Sequence, residues 1–215
     1  MPGNVRSNLD IAVFALSRLG GATNKISTEE IASEAFKLAP DRFSWVLEKF
    51  KDWPDKEVAR IALEDAAKAK NGSLVEGKYA RDISKDGWIL TPAGVRWLAK
   101  HEKHIASALG ERSRQVSQLS PTEVKRLRAK LRREQAFQVY SASGSLEGVS
   151  PYMFTDMLQC SPDAPPDLIR FKFNRLQTQA ELAQDIELLT FLQACEARFE
   201  GLFEDILEVA DDQEV

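Results

Sequence analysis

The stretch from residue 73 to residue 98 reads SLVEGKYARDISKDGWILTPAGVRWL, and it sets the fold of the first half of the chain. Two short apolar runs, 73–76 and 88–91, flank a polar loop that is bounded by glycines. Runs of this kind joined by such a loop are typical of an antiparallel hairpin. A Thr-Pro pair at 91–92 follows, and proline is favoured at the first position of a helix. The stretch therefore predicts a hairpin with a long basic tip, then a helix over 93–109.

Three helices are predicted before the hairpin, each from its own cap. Asn8 is expected to cap the first, whose apolar residues recur at helical spacing up to Gly20. The second begins at a capping box in which Glu30 follows Ser27 by three residues. The third opens at Pro54 and runs over 55–71, where an Asn-Gly pair ends it.

Four aromatic residues crowd the connection between the second and third helices. Residues 41–53 read DRFSWVLEKFKDW. Aromatic side chains bury much area and rarely stay exposed in clusters. We therefore expect these rings to cover the end of a small helical core rather than to form a platform for a ligand.

A basic segment connects the two halves of the chain. Residues 110–135 hold eight Lys and Arg against three Asp and Glu, and the capping box that begins at Ser120 starts a helix. This helix could extend a DNA footprint, dock on the acidic C-terminal part of the same or another chain, or serve as a solvated linker. Its apolar stripe is too thin, and too poor in aromatics, to favour a membrane surface.

The last 75 residues predict a helical assembly region. After a Ser/Gly-rich break at 141–151, a short helix over 151–159 and a Pro-rich turn, residues 167–209 read as one long amphipathic helix or as two helices split near Gly201. Such a helix needs a partner for its apolar face, and a second copy of the chain is the simplest one. The residues expected at this homodimer or partner interface are Leu182, Ile186, Leu189, Leu192, Phe199 and Phe203.

Charge divides the chain more sharply than its formal net charge of -4 suggests. Residues 1–135 carry 25 basic against 18 acidic side chains, a surplus of seven positive charges, whereas residues 136–215 carry 4 against 15, a surplus of eleven negative ones. Such asymmetry favours a polyanionic partner for the first part. The predicted domains are 1–109, a basic linker helix over 110–140 and an acidic helical domain over 141–215.

The order of three helices, a hairpin and a closing helix resembles the winged helix-turn-helix proteins, above all through residues 74–77 and the block from Trp88 to Leu98. The implied fold is mainly α, an N-terminal winged helix followed by a helical bundle. In such proteins the third helix enters the major groove of double-stranded DNA and the hairpin tip touches its backbone or minor groove. The resemblance, extended to the basic segment, implies these DNA-binding residues: Lys56, Arg60, Lys68, Lys78, Arg81, Lys85, Lys125, Arg126 and Arg128.

Catalysis is not expected from the sequence. Glycine-rich phosphate-binding motifs and the nucleophile motif of hydrolases do not occur. His101 and His104 are three residues apart, whereas the helical zinc-protease motif needs a spacing of four. Cys160 and Cys195 lie far apart with no histidine close by, so they are expected to be small buried hydrophobes. We expect no cofactor, no metal, no membrane span or signal peptide, and a cytoplasmic location.

Two functions follow as hypotheses. The first is a dimeric winged-helix DNA-binding protein, of the kind that regulates transcription. The second is a non-enzymatic subunit that docks on a larger bacterial complex handling DNA, with the winged helix as a scaffold. The second is motivated by the third helix, which carries as many acidic as basic residues.

Overall fold

The computed structural model describes residues 7–110 and 121–204 and is mainly helical, with one small antiparallel sheet. The chain divides into two compact units. The first holds residues 1–120 together with Gln177–Asp185, and the second holds Pro121–Leu176 together with 186–215. The predicted boundaries at 109 and 140 therefore differ from this division, because the basic helix groups with the second unit.

Four helices open the first unit: α1 is Asn8–Arg18, α2 is Thr28–Leu38, α3 is Pro40–Phe43 and α4 is Lys56–Ala67. The N-cap of α1 is Ser7, whose side chain accepts from the backbone N–H of Asp10, so the prediction of Asn8 as the cap is wrong by one residue. The capping box of α2 is confirmed, with Ser27 and Glu30 satisfying each other's backbone N–H groups. Asp55 caps α4.

The hairpin consists of β1, Val75–Lys78, and β2, Gly87–Leu90, paired with Val75 opposite Leu90. Both strands begin or end a residue or two away from the predicted runs. A backbone bridge between Ile26 and Trp88 adds the segment before α2 to the same sheet. The hairpin is thus held by the helical part of the unit as well as by its own ladder.

Helix α5, Pro92–Ala108, follows the hairpin directly. The Thr91 hydroxyl accepts from the N–H of Gly94 at 3.0 Å and caps the helix. A Cβ atom on Gly94 would lie 2.0 Å from the carbonyl oxygen of Leu74, so only glycine allows α5 to approach the hairpin this closely.

The core of the first unit lies where α1, α2 and α4 meet the hairpin and α5. Helix α1 is buried from Ile11 to Ser17, and Phe14, Leu63 and Trp88 are among the largest buried side chains. Leu182 also packs in this core. This packing holds α4 and the two strands of the hairpin in position.

The regular secondary structure of the second unit, in its described part, is all helical. It contains α6, Pro121–Leu131, α7, Gln135–Ser143, α8, Pro151–Met157, part of α9, Pro166–Ala183, and α10, Ile186–Arg198. Its core is rich in phenylalanine: the rings of Phe154 and Phe199 stack at 4.7 Å, and those of Phe137 and Phe191 meet edge to face at 5.1 Å.

The C-terminal helical region has a break that was not predicted. Helix α9 ends at Ala183 and α10 begins at Ile186. Gln184 between them has a φ of 50°, a left-handed conformation that interrupts a helix. No glycine or proline marks this position in the sequence. Helix α10 ends at Arg198 and a short 3-10 turn follows at Glu200–Leu202, so the α-helix also ends near Gly201, as one of the two predictions had it. The part of the predicted helix from 205 to 209 lies outside the described residues.

Candidate nucleic-acid interface

Helix α4 presents basic side chains that are already paired with acids. Arg60 donates to Glu57 from its Nε at 2.9 Å, and its other nitrogens donate to Glu57 and Glu64. Lys68 lies 2.6 Å from Asp65. Three of these contacts span i,i+3 or i,i+4, the spacings at which helical side chains are neighbours. The face expected to read DNA is therefore close to neutral.

The pKa shifts on α4 have the same cause. The hydrogen bond from Arg60 lowers the pKa of Glu57, and the hydrogen bond from Lys68 lowers the pKa of Asp65. The pKa of Lys68 is raised in turn by Asp65, and that of Arg60 by Glu57 and Glu64. Glu57 and Asp65 are therefore ionised near neutral pH, where they can pair with their cations.

The hairpin tip differs from α4. We call residues 78–86 the wing. Lys78 and Arg81 are exposed, and no carboxylate among the described residues pairs with either. Lys85 lies 3.6 Å from Asp82, whose pKa is lowered by hydrogen bonds from Ser84. Two predicted phosphate ligands of the wing are thus available, and the third is only loosely paired.

A buried network ties the wing to the start of α2. The carboxylate of Asp86 accepts from the backbone N–H and the hydroxyl of Thr28, at 2.8 and 2.7 Å, and from the N–H of Ala80 at 3.2 Å. The indole N–H of Trp88 donates to the Thr28 hydroxyl at 2.9 Å. Buried polar groups satisfied in this way fix one arrangement, so the wing has a defined place beside α2.

Lys56 links the wing to α4. Its ammonium lies 2.9 Å from Glu29 and 5.2 Å from the centre of the Tyr79 ring. The hydrogen bond to Glu29 raises the pKa of Lys56, despite the opposing effect of partial burial. Lys56 thus contacts both α2 and the wing from its place on α4, and its positive charge is partly neutralised by Glu29.

Helix α6 carries the strongest exposed positive charge of the described residues. Its side chains are almost all exposed, and only Leu131 is buried. Arg128 has a partner, but no described carboxylate pairs with the other basic residues of α6 and the turn after it. These are Lys125, Arg126, Lys130, Arg132 and Arg133. The capping residue predicted for this helix, Ser120, lies outside the described residues.

Sequence reasoning missed three of those cations. Lys130, Arg132 and Arg133 were not among the predicted DNA-binding residues, although the basic segment itself was noted. Arg126 and Lys130 are four residues apart, as are Arg128 and Arg132. These spacings place each pair on one side of the helix, and they could have been recognised from the sequence.

The six residues predicted for an oligomer interface differ in burial and do not lie on one exposed surface. Leu182 is in the core of the first unit, and Leu192 and Phe199 are buried in the second. Leu189 and Phe203 are half-buried, and only Ile186 is exposed. The buried three are used by the fold of their own chain, so they are a poor surface for a second copy. The homodimer itself stays a prediction.

The expectation that the aromatic rings of residues 41–53 are packed away is wrong for two of the four, Trp45 and Trp53. Phe43 is fully buried, but Trp45, Val46, Leu47 and Trp53 are 44, 92, 55 and 62% exposed. A backbone bridge between Ser44 and Pro54 closes the connection, and Phe43 before it is in the core, but the side chains of Val46 and Leu47 are left uncovered by the described residues. Exposed apolar clusters of this kind mark interaction sites.

Groups that could support catalysis or metal binding are used structurally. Nδ1 of His101 lies 2.7 Å from the carbonyl oxygen of Trp97, and the two rings stack at 4.7 Å. Burial raises the pKa of the Cys195 thiol to about 12 and also raises that of Cys160. Within residues 7–110 and 121–204, no cluster of His, Cys, Asp and Glu could hold a metal ion, and no helix is long and apolar enough to cross a membrane.

Comparison with known proteins found no matching family model, no similar curated protein and no similar solved structure. Function is therefore inferred from the residues and their geometry.

Proposed function

We propose that this chain is a DNA-binding protein of the winged-helix type that binds the phosphate backbone of double-stranded DNA. The observation that carries the proposal is α6, an exposed helix in which Lys125, Arg126 and Lys130 have no acidic partner among the described residues. Lysine and arginine without partners at a protein surface are the groups that neutralise DNA phosphates. Phosphate contacts hold a protein on the duplex without reading its sequence.

Like charges on α6 are themselves a reason for a polyanion. Arg126 and Lys130 are neighbours on the helix surface, where two positive charges four residues apart destabilise a helix. A DNA strand lying along α6 would replace this repulsion with attraction and would release condensed counterions. A bound polyanion is therefore expected to stabilise α6.

The first unit supports a second, separate contact. The order of α1, α2, α4 and the hairpin, with Ile26 bridged to Trp88, supports the winged-helix part of the proposal. Lys78 and Arg81 on the wing have the exposure needed to reach the backbone or the minor groove. The neutral face of α4 favours backbone binding over sequence reading. A role in transcription remains a prediction beyond this proposal.

Fluorescence anisotropy with a labelled 30-bp duplex tests the proposal. We expect binding of the full chain at low salt, weakened at least tenfold between about 50 and 200 mM salt because several phosphate contacts release counterions. Lys78→Ala with Arg81→Ala should lower the affinity and reduce the salt slope by up to about two. Lys68→Ala, which removes a cation already paired with Asp65, is the matched control and should change little. Absence of binding at 50 mM salt would overturn the proposal.

A further inference from the structure

The connection between α3 and α4 is an exposed apolar protrusion that the backbone holds in shape. We call residues 44–54 the aromatic loop. A bridge between Ser44 and Pro54 closes it, and the N–H of Asp55 donates to the carbonyl of Phe43 at 2.6 Å. The N–H of Trp45 donates to the carbonyl of Trp53 at 3.3 Å. The loop is thus closed at its base, and Phe43 anchors it in the core.

Three rings make up one side of the loop. Phe50 lies between the two tryptophans, 5.9 Å from Trp45 and 5.8 Å from Trp53 between ring centres. The ammonium of Lys49 lies 4.8 Å from the centre of the Phe50 ring, and no described carboxylate pairs with it. Aromatic faces beside an available cation are the groups that bind unstacked nucleic-acid bases and their phosphates.

The aromatic loop is adjacent to the part of the first unit that faces the proposed DNA contact. Trp53 precedes Lys56 by three residues, so their Cα atoms lie within about 11 Å of each other by chain length alone. Lys56 lies 5.2 Å from the Tyr79 ring of the wing. The protrusion, the start of α4 and the wing therefore belong to one neighbourhood, and a nucleic acid on the wing is within reach of the loop.

We propose that the aromatic loop inserts into the base stack, so that the preferred ligand is DNA with unpaired bases, such as a bubble or a single-strand/duplex junction. The inference rests on the proposed DNA binding and specifies its substrate. Val46 and Leu47 protrude as an apolar wedge, and Trp45 and Trp53 offer rings on which freed bases stack. Unpaired bases favour this insertion because less stacking energy is lost when they open.

The experiment compares two ligands, a 30-bp duplex and the same duplex with a six-base unpaired bubble, by anisotropy at one salt concentration. We expect the full chain to bind the bubble roughly tenfold more tightly, the effect of one or two stacked bases. Binding should also quench tryptophan emission. Two variants, Trp45→Ser with Trp53→Ser and Val46→Ser with Leu47→Ser, should each reduce the preference for the bubble while duplex affinity stays within about twofold. Tyr152→Ala, an exposed aromatic change in α8, is the control.

The outcomes separate this inference from the proposed function. Equal binding of bubble and duplex by the unaltered chain overturns the inference and leaves backbone binding in place. Loss of all DNA binding in the unaltered chain overturns both. If the loop variants keep the preference for the bubble but change the mass measured by light scattering, the loop is a protein-docking surface and the inference is wrong. Circular dichroism checks that both double variants fold. If one of them does not fold, the other still tests the inference.

Discussion

Helices α4 and α6 are similar in length, at 12 and 11 residues, yet they present different charge to solvent. On α4, Arg60 and Lys68 are held by acids of the same helix, and Lys56 is held by Glu29. On α6 and the turn after it, five basic side chains have no described acidic partner. A count of lysine and arginine therefore overstates what α4 can offer a polyanion. The available charge depends on where the acids lie.

The cause of the difference is the spacing of acids along each helix. Glu57 and Glu64 lie three residues before and four residues after Arg60, so both reach its guanidinium. In α6 the one acid, Glu123, stands in the first turn, where the helix dipole favours it. The later turns of α6 contain no acid at all.

The comparison can be sharpened by freeing the arginine of α4. We expect Glu57→Gln with Glu64→Gln to raise the affinity for duplex DNA on the order of threefold to tenfold at about 0.1 M salt, because two negative charges are lost and Arg60 becomes available. Anisotropy titration measures this gain. Adding Arg60→Ala to the same chain should remove most of it. A gain that survives the loss of Arg60 would mean that the carboxylates act only through long-range repulsion.

A smaller effect is expected at Lys56, whose pair with Glu29 is largely exposed. Lys56→Met should lower the free energy of unfolding of the first unit by about 0.5 kcal/mol or less, because solvent screens such pairs. The pKa of Lys56 is raised by folding, so its contribution is complete below the ordinary value of 10.5 and is lost as pH rises through the raised value. All four tryptophans lie in the first unit, so urea unfolding followed by their fluorescence isolates this change. If the unaltered chain and the Lys56→Met variant had the same free energy of unfolding already at pH 8, the contribution assigned to the Lys56–Glu29 pair would be wrong.

Much of the first unit could be predicted from local sequence signals. The capping box at Ser27 and Glu30 and the Thr-Pro start of α5 each depend on a few adjacent residues, and the structure has both. The break at Gln184 was not predicted, because no glycine or proline marks it and the one local signal is Asp185, a residue type that is favoured directly before a helix. Local sequence patterns therefore indicated where these helices begin better than where α9 ends.

The candidate site was predicted less well than the fold, for two physical reasons. The ion pairs of Arg60 and Lys68 with acids of α4 could have been recognised from their spacing of three or four residues. Recognising them would have removed Arg60 and Lys68 from the predicted DNA-binding residues and would have added none. The exposure of Trp45 and Trp53 could not have been recognised in this way, since it depends on how residues 44–54 close on themselves. Hydrophobicity alone predicted burial there.

The salt dependence of DNA binding by two matched triple variants tests the central claim most directly. One variant carries Arg126→Ala, Lys130→Ala and Arg133→Ala, and the other carries Lys56→Ala, Arg60→Ala and Lys68→Ala. Each phosphate contact contributes about 0.9 to the slope of log affinity against log salt. The α6 variant should therefore lose about two to three units of slope, and the α4 variant less than about one. An equal loss in both, or a larger loss in the α4 variant, would contradict the account.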